Sequence, residues 1–91
     1  IGQKLATIAS GNQVLCITHS PQVAVYAHQH YFVHKIHEGG RTHSRIRRLD
    51  EVEHLSEVSR MLGGIDVSEA SRAAARELRT TALAARAATP A

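Results

Sequence analysis

Apolar side chains recur at Ile1, Leu5, Ile8 and Ala9 with the three-to-four-residue spacing of a helix, and Gly11-Asn12 follows as a stop signal. The pattern then changes. Val14-Leu15-Cys16-Ile17 is an unbroken, β-branched-rich run, which predicts a strand buried on both faces of a largely parallel sheet. In Thr18-His19-Ser20-Pro21, Ser20 is a suitable helix cap, and Pro21 suits a first turn because the N–H it lacks would be unpaired there. A short helix is therefore expected over 22–27. Helix followed by buried strand reads as α/β.

Further along, Tyr31-Phe32-Val33-His34-Lys35-Ile36 and Thr42-His43-Ser44-Arg45-Ile46-Arg47-Arg48-Leu49 have strand composition, and Gly39-Gly40 between them supplies the positive φ of a hairpin turn. A turn centred on that pair sets Val33 opposite Ile46 and Tyr31 opposite Arg48. One face then becomes apolar, while Arg45 and Arg47 point the other way. Asp50, with Glu53 three residues on, forms a capping-box pattern ahead of a helix whose buried stripe reads Val52, Leu55, Val58, Met61 and Leu62. Gly63-Gly64 ends it. A last helix starts near Ser68 with Ala70, Ala73, Ala74 and Leu78 along one side, and fraying is expected over 81–91, where the tail is alanine-rich and closes on proline.

Composition narrows this picture. Ninety-one residues build one domain at most, and much of the apolar 43 % is alanine, with Tyr26, Tyr31 and Phe32 the only aromatic side chains. So small a core predicts packing partners outside the sequence, and a chain opening inside a helical pattern without an initiator Met reads as the later part of something longer. A single cysteine, Cys16, rules out an internal disulfide, and its apolar neighbours make it a small core residue rather than a nucleophile. No apolar run reaches membrane-spanning length, and a cytosolic location is expected. Net charge is +3, but Lys35, Arg41, Arg45, Arg47 and Arg48 crowd one stretch against Glu38 alone. Such a strip is either a solvated hairpin face or a surface for phosphate-bearing partners.

His19 is the leading site candidate. It follows a predicted buried strand, and open α/β sheets bind ligands at the carboxyl ends of their strands. An imidazole there can donate to a phosphate oxygen or position a water; the alternative is a residue that only closes the loop.

The run Gln13-Val14-Leu15-Cys16-Ile17-Thr18-His19-Ser20-Pro21-Gln22-Val23-Ala24 resembles the strand and switch-histidine loop of the RecN family. The likeness continues through His30-Tyr31-Phe32-Val33, Gly40-Arg41-Thr42, Arg47-Arg48-Leu49-Asp50, Met61-Leu62-Gly63-Gly64 and Ala75-Arg76-Glu77-Leu78. It implies that residues 1–91 are the C-terminal segment of an ABC-type P-loop NTPase head, with a buried strand, a β-hairpin and flanking helices. It further implies a bacterial, nucleoid-associated, SMC-like ATPase acting in recombinational repair of DNA double-strand breaks. In that family the switch histidine contacts the γ-phosphate and organises the attacking water, and this role passes to His19 alone. ATP and Mg²⁺ would belong to the complete head, none being expected for the segment by itself. The implied partners are the rest of the head and its coiled coil, a second head in a homodimer, and DNA. Ser20 stands where the resemblance leads one to expect leucine. The phosphate loop, signature segment and Walker B strand are absent from these residues, so the segment alone should not hydrolyse ATP.

Two other readings were weighed on the residues. His28, His30, His34, His37 and His43 gather around the hairpin, but His30 and His34 lie about 13 Å apart along a strand, and no cysteine or carboxylate motif completes a zinc set. No metal site is assigned. The second is a non-enzymatic basic module binding nucleic acid or protein; Arg45, Arg47 and Arg48 would serve it, without an aromatic platform or recognition-helix pattern to direct them.

Overall fold

The computed structural model describes residues 1–64 and 67–87. Among these described residues, four helices and one hairpin follow each other as α1 (Gly2–Ala9), α2 (Pro21–Ala24), β1 (His30–Glu38), β2 (Arg41–Leu49), α3 (Glu51–Gly63) and α4 (Glu69–Ala87).

The hairpin has the expected register. β1 and β2 pair antiparallel with Val33 opposite Ile46 and Tyr31 opposite Arg48. Gly39 and Gly40 turn the chain at φ 57° and 74°, a conformation that would strain side chains at both central positions. The apolar face, with Tyr31, Val33 and Ile46, is the solvent-exposed one. On the other face Phe32, His34 and Ile36 are half-buried. The Phe32 and His34 rings stack there at 5.3 Å between centroids, and His34 Nδ1 is enclosed without a hydrogen-bond partner among the described residues.

Asp50 caps α3 as its spacing predicts. Its carboxylate accepts from the Glu53 N–H at 2.8 Å, and Glu53 returns the bond to the Asp50 N–H at 3.1 Å. The core lies where α2 and its following turn meet α3 and α4: Val25, Val58, Ala75 and Ala82 are buried, with Tyr26, Leu55, Leu62 and Leu78 packed against them. α1 seats Gly2 and Ala6 inward, while Ile1 and Ile8 are exposed. Gly2 is there because a Cβ would fall 2.5 Å from the Tyr26 ring and 2.8 Å from the Gln22 carbonyl.

Several expectations are corrected. Val14–Ile17 forms no strand, and Leu15 and Ile17 are 88 % and 95 % exposed. Cys16 is likewise exposed rather than a core residue. The reason is physical: a strand buried on both faces needs neighbours on each side to satisfy its backbone, and the hairpin, the only β structure among the described residues, pairs only with itself. Val52 is exposed and His54 takes its place in the stripe, because the face of α3 that meets α4 runs through residues 54, 55, 58 and 62. In α4, Ala70 and Ala73 are exposed while Ala75 and Ala82 are buried. The helix is continuous to Ala87, where fraying was expected from Thr81; the rest of that stretch, 88–91, lies outside the described residues. Arg86 explains the order, since its Nη1 donates to the Ala27 carbonyl at 2.9 Å.

Candidate functional site

His19 follows the unpaired Val14–Ile17 segment and is exposed, one residue before the N-cap Ser20 of α2. Its loop is set by two short contacts: the Ser20 N–H donates to Thr18 Oγ1 at 3.0 Å, and the Ser20 carbonyl accepts from Ala24 N–H at 3.0 Å. Ser20 occupies the N-cap position and Pro21 the first turn, but Ser20 Oγ donates to Gln22 Oε1 at 3.1 Å instead of capping the helix backbone. The side-chain cap expected at Ser20 is therefore not made. With four residues, α2 is too short to present a sizeable dipole. The site here amounts to one accessible imidazole on a backbone pinned by Thr18 and Pro21.

A second histidine centre lies at the joint between hairpin and helices. His30 on β1 and His54 on α3 face each other with their Nδ1 atoms 2.9 Å apart and their rings edge to face. One ring must donate and the other accept, so the bond requires at least one unprotonated Nδ1. Burial lowers the pKa of His54, and the charges of His30, Arg79 and Arg86 lower it further against an opposing pull from Glu51. Burial also lowers that of His30, with Glu57 opposing. The pair lines a small depression of about 70 Å³, with His28, Asp50, Arg79 and Arg86 around it. The sequence did hold a signal. His54 lies four residues before Val58 and one before Leu55, on the buried stripe.

The cations of the hairpin sort by face. Arg41, Arg45 and Arg47 share one face with His43, opposite Glu38, His34, Phe32 and Ile36 respectively for Arg41, Arg45, Arg47 and His43. Arg48 lies on the other. Arg47 pairs with Glu53, which holds that carboxyl below its usual range mainly through the side-chain hydrogen bond. Arg41, Arg45 and Arg48 form no ion pair among the described residues. The hairpin histidines disperse: His37 Nδ1 bonds Thr42 Oγ1 at 3.0 Å, while His34 and His43 stand opposite Arg45 and Ile36. Among the described residues no three His, Cys, Asp or Glu side chains converge as a metal-ligand set, and no helix is long and apolar enough to cross a membrane.

These features define a small α/β unit, an antiparallel hairpin framed by helices, with an exposed histidine loop as its most distinctive chemistry. No protein-family model matches the chain. Individual relatives do. It is 49 % identical over 78 residues to the DNA repair protein RecN of Xylella fastidiosa strain 9a5c and 40 % identical over 78 residues to that of Bacillus subtilis strain 168. It is 44 % identical over 84 residues to RecN of Streptomyces coelicolor. These matches cover 86 % to 92 % of the chain, which therefore belongs to the RecN family. They cover 14 % to 15 % of each relative, so the chain spans about one-seventh of the proteins it matches.

Proposed function

We propose that this chain is the C-terminal part of the ABC-type ATPase head of a RecN protein acting in DNA repair, and that His19 is its switch histidine. The observation that carries the reading is the exposure of Leu15 and Ile17, at 88 % and 95 %, in the segment leading to His19. An apolar tetrapeptide left in water is costly. Pairing it into a larger sheet would bury it and bring His19 to the carboxyl end of a sheet strand, where α/β proteins hold their ligands.

His19 would then donate to the γ-phosphate and orient the attacking water. One imidazole is not a nucleotide site. Phosphoryl transfer also needs the phosphates cradled and a cation to neutralise charge, so ATP and Mg²⁺ are assigned to the complete head, closed against a second head as a homodimer. The remaining head, its coiled coil and DNA are the other partners, in the bacterial cytoplasm at the nucleoid.

Single-turnover ATP hydrolysis by the full-length protein, with and without His19→Ala, tests this. The variant is expected to bind ATP normally and hydrolyse it about a hundredfold more slowly or worse. Unchanged hydrolysis would reduce His19 to a loop residue.

A further inference from the structure

We propose that the hairpin face carrying Arg41, Arg45 and Arg47 binds the phosphodiester backbone of DNA; this deepens the RecN reading by naming a surface for its nucleic-acid partner. The pairing register fixes that face. Arg41, His43, Arg45 and Arg47 alternate along β2, whose residues from Arg41 to Arg48 are all exposed. Successive alternate positions on a strand are about 6.8 Å apart. A nucleic-acid strand carries a charge every ~3.4 Å of axis, so Arg45 and Arg47 are spaced to meet alternate phosphates, with Arg41 two alternate positions further along and His43 between.

The guanidinium groups are available. Arg41 and Arg45 have no carboxylate partner among the described residues, and Arg47, although paired with Glu53, keeps 57 % of its side chain exposed. A guanidinium has five N–H donors, more than one carboxylate consumes. Glu38, opposite Arg41 at the turn, is the one acidic side chain of the two strands. The stacked Phe32 and His34 rings belong to the residues directly opposite Arg47 and Arg45.

The same register separates this surface from the one suited to protein. Tyr31, Val33 and Ile46, the exposed apolar side chains of the hairpin, all lie on the other face, together with Lys35 and Arg48. An exposed apolar cluster suits a protein contact, whereas the arginine face exposes no large apolar side chain and leaves its cations to meet a polymer of anions. The contacts are with phosphates and carry no base specificity.

The test is fluorescence anisotropy of labelled 30-nucleotide DNA, single-stranded and duplex, titrated with full-length protein across a salt series. Arg41→Ala/Arg45→Ala is compared with Arg41→Lys/Arg45→Lys, and with Arg72→Ala/Arg76→Ala on α4, which removes equal charge from residues that already pair with Glu69. Each lost phosphate contact removes about 0.7–0.9 from the slope of log affinity against log salt. The hairpin alanine double should therefore lower that slope by about 1.5 and weaken binding about tenfold or more near 0.1 M salt. The lysine double should retain the slope, and the α4 double should change neither quantity. An unchanged slope in the hairpin double, or an equal loss in the α4 double, overturns the proposal. So does unaltered DNA binding with weakened self-association, which would assign the face to an acidic protein surface. ATP hydrolysis by the His19→Ala protein keeps the two ideas apart: its failure to slow counts against the ATPase reading alone.

Discussion

The bond between His30 and His54 should make the joint between hairpin and helices acid-sensitive. Burial lowers both pKa values. In the unfolded chain each histidine takes up a proton near pH 6.5, while in the folded chain each resists until the pH is lower. Across that interval the unfolded state holds more protons, so stability falls as pH drops below about 6.5 and levels off once the folded pKa values are passed. The sign follows from the depressed base: neutral pH favours the fold, acid does not. A first proton can leave the Nδ1···Nδ1 bond intact. A second sets two N–H groups against each other and breaks it, so the pair titrates as a unit.

The slope has a ceiling of about 1.4 kcal/mol per pH unit per proton, or about 2.7 kcal/mol for the pair. A chain of this length is stabilised by only about 5–14 kcal/mol, and a core of two valines and two alanines puts this one toward the lower end. One pH unit of full coupling would remove about half of that. Glu51 and Glu57 oppose the shifts and reduce the slope below its ceiling. The perturbation is His54→Phe, which keeps a ring against His30 and removes the titrating partner. The assay is urea unfolding of the 91-residue chain between pH 7.5 and 5. The variant should be less stable at pH 7.5, by about 1–3 kcal/mol for the buried nitrogen it strands on His30, and its profile should be flatter toward acid. Parallel pH profiles for the two proteins would refute the reasoning.

Two substitutions test the packing. Val58 is fully buried at the centre of the core; Val58→Ala removes two carbons and leaves a cavity, so a loss of about 2–3 kcal/mol is expected in urea unfolding. Gly2→Ala drives a methyl group into the Tyr26 ring and the Gln22 carbonyl, and hydrogen exchange in the full-length protein should quicken in α1 and α2 while α3 and α4 keep their protection. Equal protection in α1 would show that the helix sits elsewhere.

What was legible in the sequence was local. The Gly39-Gly40 turn fixed the hairpin register because two adjacent positive-φ residues leave few ways to pair the flanking runs. The Asp50 and Glu53 spacing located the start of α3 because a capping box closes within one turn. Ser20 shows the limit of that logic, since its hydroxyl found Gln22 nearer than the helix backbone. What depended on distant neighbours was not legible. Periodicity gave α4 its helix but not its face, because with alanine at so many positions several stripes are equally apolar, and the choice fell to whichever row, here Ala75 and Ala82, met α3. Arg86 and the Ala27 carbonyl are far apart in sequence, and nothing in an alanine-rich tail announces the bond that orders it.

The hydrophobic run at Val14–Ile17 carries this argument furthest. Its composition is that of a buried strand, and the family to which the chain belongs offers about six times as much additional sequence from which partners could come. A short run like this acquires burial only from the strands beside it, so its exposure and its strand-like composition are not in conflict. They describe one segment without and with neighbours. On the proposed reading His19 shares this dependence, because the groups of a larger sheet would set its chemistry, and that is why the switch role is tested on the full-length protein.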